Sequence, residues 1–291
     1  MLKILLIFAV FCSGVFSQNI SKNESLKLKN TAKNDEILKI GNGEAYILVR
    51  KNENAQDLSI NQKPAKWVNH PSLKDHKLAI ISAPYKAKRD IFIKNGDEII
   101  NLKVQKLPYK KEILKVAPKT INPPKSAYAR IKKEFNEIQK IHASFTPNLL
   151  INGPFILPLH SQITSAYGTV RVYNNELKSF HSGADFKAPT PQQISASNAG
   201  IVKIAKDLYY CGKSVIIDHG AGIYTQYCHL SKIFVKNGER VKKAQIIALS
   251  GASGRVSGPH LHFSVFANQA RIDPIKFIRN FNKSVFNNNN F

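Results

Sequence analysis

Hydrophobic positions along the chain fall into short runs separated by turn residues, and only one stretch carries a helical period. Between 40 and 117 the runs 45–49, 78–81, 90–93 and 99–104 alternate with signals such as Asn42-Gly43 and Asn95-Gly96-Asp97. Runs of four to six β-branched and apolar residues bounded by Asn and Gly predict strands, here a small β-sandwich-like module. Residues 127–142 place Ile131, Phe135, Ile138 and His142 at helical spacing, which predicts a helix within a linker spanning 118–150. Pro147, Pro154 and Pro158 end it and open a second β unit over 151–279. Its predicted strands are 200–205, 214–218, 223–227, 232–235, 245–249 and 260–265, the second and third forming a hairpin that turns through Gly220-Ala221-Gly222. The fold class is mainly β: a sandwich-like module, a linker helix and an antiparallel β-sheet domain.

The termini read differently. Met1-Leu2-Lys3 precedes an unbroken apolar run at 4–11, with small residues at Ser13, Gly14 and Ser17 and polar sequence from Gln18. The run is far short of the roughly 20 residues a membrane span requires and has the layout of a signal peptide over 1–17. Export to the periplasm follows as the expectation, with 18–39 a flexible segment. At the other end, Asn287 to Asn290 suggest a mobile tail over 280–291.

Charge narrows the partners. The formal net charge is +24, and of 43 basic residues 35 are Lys and 8 are Arg, dispersed along the chain. Base and phosphate recognition concentrates Arg in local clusters, and no nucleic-acid-binding motif is visible. The reading is therefore no nucleic acid, and an anionic neighbourhood instead. Cys12 lies in the signal segment, leaving Cys211 and Cys228 to flank the hairpin. In an oxidising compartment they either pair or stay thiols, and their spacing is not that of a zinc knuckle.

The chemistry lies in the second unit. His181-Ser182-Gly183-Ala184-Asp185 spaces an imidazole and a carboxylate around a glycine that permits a tight turn. His260-Leu261-His262 puts two imidazoles at i and i+2, on one face of a strand. His229 ends the run Tyr227-Cys228-His229. Imidazole with carboxylate suits zinc, and three protein ligands plus water is a catalytic arrangement. The surrounding candidates have structural readings: Asp218-His219 belongs to a hairpin tip, and His70 and His76 are solvated loop residues.

Over 163–274 the sequence resembles the catalytic domain of the lysostaphin-type (LytM) zinc metallopeptidases. The resemblance rests on HSGADFKAP at 181–189, SVIIDHGAGIYTQYCHL at 214–230, GASGRVSGPHLHF at 251–263 and IDP at 272–274, in that order. It implies that His181, Asp185 and His262 ligate Zn2+, while His229 and His260 stay off the metal beside the water and the scissile carbonyl. It implies a peptidoglycan endopeptidase acting on peptide stems, with D-alanyl–diaminopimelate cross-links and carboxypeptidase trimming as the specific expectations. The alternative is a catalytically silent relative that binds peptidoglycan or activates an amidase, but all five positions are present. The chain departs from the family pattern at Ala244-Gln245, at Ser264 where an acidic residue often stands, and in an insertion at 169–180. The N-terminal module is read as contacting the wall or an envelope partner, regulating access to the zinc, or only spacing an enzyme that is expected to be monomeric.

Overall fold

The computed structural model describes residues 38–114, 123–173 and 177–287. The signal segment, most of 18–39, the proline-rich stretch up to 122 and the last four residues lie outside the described residues. Leu38 and Lys39, expected in the flexible segment, instead begin a strand, Leu38–Gly41, that pairs in parallel with Leu102 to Gln105 of the strand Glu98–Gln105.

The N-terminal strands form two facing sheets. A five-stranded sheet contains Leu38–Gly41, Glu98–Gln105, Ile91–Asn95, Leu58–Ile60 and Lys63–Pro64 in that order. A three-stranded sheet contains Glu44–Lys51, His76–Ala83 and Val68–Asn69. Between them Ile40, Leu48, Ile81, Ile93 and Leu102 are buried, a sandwich core. The other face of the three-stranded sheet is also covered. Ala45, Ile47, Leu78 and Ile80 join Phe277, Phe281 and Val285 in the large core of the C-terminal unit. That double burial is why 78–81 reads as a continuous apolar run rather than a strict alternation. Burying each Leu or Ile contributes about 2 kcal/mol, so this shared face ties the two halves firmly together.

The second unit is built on one extended sheet whose central order is Ile163–Ser165, Ala184–Lys187, His260–Ala267, Ile223–Ile233, Gly212–Asp218, Gly200–Leu208 and Arg240–Val241. The predicted hairpin is present, with Asp218 opposite Tyr224. The expected strand at 232–235 is not separate. Lys232 and Ile233 continue the long strand Ile223–Ile233, which bends to pair with Ile246–Ser250. The helix Tyr128–Ala143 packs Ile138 and Ile141 onto Ile204, Leu208, Ile216, Tyr224 and Phe266. It is a packed layer of the second unit rather than a linker.

The expected tail is largely a helix, Pro274–Phe286, with Phe277, Ile278, Phe281, Asn282 and Val285 buried. Asp273 caps it, accepting from the backbone N–H of Ile275 and Lys276 at 3.0 and 3.2 Å, and Pro274 opens the first turn. The Asn-rich composition masks this apolar stripe, which stops at Asn287 in the left-handed conformation. Among the described residues no helix is long and apolar enough to cross a membrane.

The 169–180 insertion forms a sheet of its own. Val170–Tyr173 pairs antiparallel with Leu177–Phe180 and, on its other edge, in parallel with Lys111–Leu114 from the segment following the sandwich. Tyr85 of the sandwich stacks on Phe180, ring centroids 3.9 Å apart.

Candidate functional site

Strand pairing brings the candidate residues together. Asp185 on Ala184–Lys187 stands directly opposite His262 on His260–Ala267. His260 shares His262's face, as the i, i+2 spacing predicts. Gly183 has a reason other than the expected tight turn, since its φ is not left-handed. A Cβ there would lie 2.5 Å from the Phe263 carbonyl oxygen and 2.8 Å from His262 Cε1, so only glycine lets the His181 segment approach that strand.

His229 reaches the site through a distortion. Val215 pairs with Tyr227 and Lys213 with Leu230, so one residue on the first strand faces two, Cys228 and His229, on the second. This β-bulge puts His229 at φ 64°, a conformation uncommon for a residue with a side chain. Its N–H donates to the Cys211 carbonyl at 2.8 Å. Its imidazole stands 4.8 Å from that of His260 and 6.0 Å from that of His262, centroid to centroid.

Three donor atoms converge. His181 Nε2 is 3.0 Å from both Asp185 Oδ1 and His262 Nδ1, and His262 Nδ1 is 2.8 Å from Asp185 Oδ1. Ligands around a tetrahedral first-row ion lie about 3.3 Å apart, so this triangle needs only slight expansion to hold one. The remaining nitrogens explain why a cation fits. His181 Nδ1 lies 3.0 Å from the Ala166 carbonyl, which only accepts, so that nitrogen carries the proton and Nε2 presents a lone pair. Burial is the main influence that lowers the His262 pKa to about 4, so an imidazolium is disfavoured there at neutral pH. A buried anion and two facing imidazole lone pairs are mutually repulsive without a cation between them. Among the described residues, His181, Asp185 and His262 form the one such group that could hold a metal ion.

The other two imidazoles are pinned in the same manner. His229 Nδ1 meets the Ser253 carbonyl at 2.9 Å and His260 Nδ1 meets the Gly258 carbonyl at 2.9 Å, which makes Nδ1 the donor in each ring. His260 Nε2 lies 3.8 Å from Asp185 Oδ1. Burial, then the adjacent His262, lowers the His229 pKa to about 3, so it is neutral and an acceptor near pH 7. A lone pair on His229 Nε2 beside this group can accept a proton from a water and return it to a leaving group.

Residues 179–274 match the model of peptidase family M23. These residues form a peptidase family M23 domain. Its relatives include a peptidoglycan DD-endopeptidase, ShyB of Vibrio cholerae, 41% identical over 96 residues, which are 33% of this chain and 22% of that protein. A DD-carboxypeptidase/endopeptidase, Mpg of Neisseria meningitidis serogroup B, is 33% identical over 95 residues, or 33% of this chain and 22% of that protein. The chain thus spans about a fifth of the length of these curated relatives. A solved structure of a peptidase M23 from Pseudomonas aeruginosa is 27% identical, covers 81% of this chain and 94% of that one, and superposes with a TM-score of 0.59. That likeness extends beyond the M23 domain into the preceding strands and helix.

Around the M23 domain's site, several supporting residues carry no motif of their own. Ser264 Oγ lies 2.8 Å from His262 Nε2, and Ser165 Oγ lies 3.3 Å from His181 Nδ1. Arg171, on the insertion, reaches Asp185. Ser264 had a sequence signal, as the place where the family's acidic residue is replaced.

The remaining candidates have structural roles. His219 is fully buried, bonded to the Ala199 carbonyl and to Thr225 Oγ1 at 2.7 and 2.8 Å. Asp218 accepts from Thr146 Oγ1 and from the Gly220 N–H, as a turn carboxylate does. His70, expected in solvent, is buried, and its Nδ1 accepts from the N–H groups of Ser72 and Leu73. Cys211 and Cys228 are both thiols in the structure.

Proposed function

We propose that this protein is a zinc-dependent endopeptidase that hydrolyses peptide cross-links of peptidoglycan, with His181, Asp185 and His262 holding the metal. The observation that carries this reading is the convergence of His181 Nε2, Asp185 Oδ1 and His262 Nδ1, with the rings of His229 and His260 beside them. When bound, zinc supplies Lewis-acid polarisation of the scissile carbonyl and acidifies a water. His229 Nε2 accepts a proton, held in the required tautomer by the Ser253 carbonyl. His260, pinned by Gly258 and with Nε2 3.8 Å from Asp185 Oδ1, orients the reacting groups from the rim and stabilises developing charge. Both side chains project from a rigid sheet, so little reorganisation is needed.

The relatives' names, a DD-endopeptidase and a DD-carboxypeptidase/endopeptidase, support a bond between D-centres, the D-alanyl–diaminopimelate cross-link and the terminal D-alanine. A substrate of that kind places the protein in the bacterial envelope, consistent with a signal sequence at 1–17. A silent peptidoglycan-binding or amidase-activating role is disfavoured because no member of the ligand set is missing.

The test is digestion of purified sacculi by the full mature chain, with chelator and with zinc restored, followed by analysis of the muropeptides. Cross-linked dimers should fall and monomers rise only when metal is present. Unchanged dimers with stoichiometric zinc would overturn the endopeptidase reading.

A further inference from the structure

One charged side chain at the cleft has no place in that mechanism. Arg171 sits in the middle of the insertion sheet, its backbone in register with Glu112 on one side and Ser179 on the other. Its Nη2 donates to Ser165 Oγ at 3.0 Å and lies 3.5 Å from Asp185 Oδ2. Its Nε is buried without a hydrogen-bond acceptor, and Glu112 Oε2 stands 3.9 Å away, too far to bond it. The side chain is 27% exposed, so it is within reach of solvent beside the candidate site.

This guanidinium is poorly matched by its own protein. Asp185 presents Oδ1 to the two imidazoles and gives Arg171 only a long contact, through Oδ2 at 3.5 Å. The guanidinium thus keeps one good hydrogen bond, to Ser165, and only long contacts to the two carboxylates beside it. Such a group is suited to a planar carboxylate, which it can bind bidentately.

The substrate chemistry supplies that carboxylate. In a D-alanyl–diaminopimelate cross-link, the carbon attached to the scissile nitrogen bears a free carboxylate. The same holds for the last residue of a stem ending in D-alanyl-D-alanine. We propose that Arg171 is a specificity-determining residue that receives the free α-carboxylate of the amino acid whose amine leaves. The assignment rests on the peptidase reading above. It gives one reason why endopeptidase and carboxypeptidase action occur on a single site: both leaving groups share this anion.

The experiment uses the zinc-loaded full chain and its Arg171→Gln and Arg171→Lys variants. The probes are two stem peptides ending in D-alanyl-D-alanine, one with a free C-terminal carboxylate and one with a C-terminal amide. For the wild type, the amide should show a KM about tenfold or more above that of the acid. Arg171→Gln should raise KM for the acid by about tenfold or more with kcat changed less than about threefold, and should treat the two peptides alike. Arg171→Lys, which keeps the charge but loses the fork, should fall between. Zinc content should stay at one per chain in all three. An equal loss on both peptides, or zinc loss in step with activity, would mean that Arg171 only positions Asp185 and would overturn the assignment. If the wild type cleaves neither peptide, only the carboxypeptidase part of the reading fails, the sacculus digestion still decides the endopeptidase reading, and binding of acid against amide by calorimetry still decides Arg171. Equal affinity for the two would then overturn it.

Discussion

His262 Nε2 and Ser264 Oγ lie 2.8 Å apart on the same face of one strand, with Ser264 completely buried. If the hydroxyl accepts, His262 carries its proton on Nε2 and turns a bare Nδ1 toward His181 and Asp185. A neutral serine thus contacts the ring from the position where the family pattern often has an acidic residue. Ser264→Ala should weaken zinc binding by about tenfold or more, the cost typical of removing a partner that orients a metal histidine. Competition with a chromophoric chelator measures this, and unchanged affinity would show that sheet packing alone holds the ring.

His142 makes a different kind of prediction. It is 3% exposed, stacks on Phe266 with centroids 3.5 Å apart, and has no hydrogen-bond partner at either nitrogen. His142→Phe keeps the ring and removes two unsatisfied atoms, so it should stabilise the protein by about 1 kcal/mol at pH 7. Urea unfolding monitored by circular dichroism reads this directly, and a loss of stability would point to a hidden partner for His142.

Acid sensitivity follows from the same residue and from His219. Burial lowers their pKa values to about 3 and about 4, against 6.5 for an unfolded histidine. Between pH 6.5 and 4 the unfolded chain therefore binds protons that the folded chain refuses. Their contribution is fully present above pH 6.5 and is lost as pH falls, by roughly 1.4 kcal/mol per pH unit for each group. Below pH 6.5, the stability of His142→Phe should fall less steeply than that of the wild type by about that amount. Parallel pH profiles for the two proteins would contradict the burial argument.

The N-terminal strands share their core with the M23 domain, so the two should not separate cleanly. Ser82 Oγ donates to the Ala267 carbonyl at 2.8 Å, Lys276 pairs with Glu44 at 2.6 Å, and the Asp273 N–H donates to the Gly43 carbonyl at 2.7 Å. A fragment beginning at 123 would expose the faces of Phe277, Phe281 and Val285 that meet Ile47, Leu78 and Ile80. Its melting temperature should lie well below that of the longer chain, and equal melting temperatures would show that the shared core is dispensable.

Local pattern made much of this legible. Strand runs, the helix at 127–142 and the hairpin were readable because each is set by periodicity and turn residues within a short window. The metal candidates were readable because His260 and His262 need only strand alternation to share a face. What the sequence could not show depends on pairing between distant segments. Ser165 acquires meaning only when its strand pairs with Ala184–Lys187, Arg171 only when its side chain reaches Asp185, and Lys111–Leu114 only when it docks against Val170–Tyr173. His229 needs a bulge defined by the register of two strands. The C-terminal helix was missed because asparagines around Phe281 and Val285 lowered its average hydropathy without disturbing its apolar stripe.

The central claim is a division of labour: His181, Asp185 and His262 hold zinc, while His229 moves protons without touching it. The direct measurement is zinc per chain alongside muropeptide release from sacculi for wild type, His181→Ala, His262→Ala and His229→Ala. The first two variants should lose both metal and activity, and His229→Ala should keep about one zinc while turnover falls by about a hundredfold or more. Equal zinc loss in all three variants, or full turnover by His229→Ala, would contradict the account.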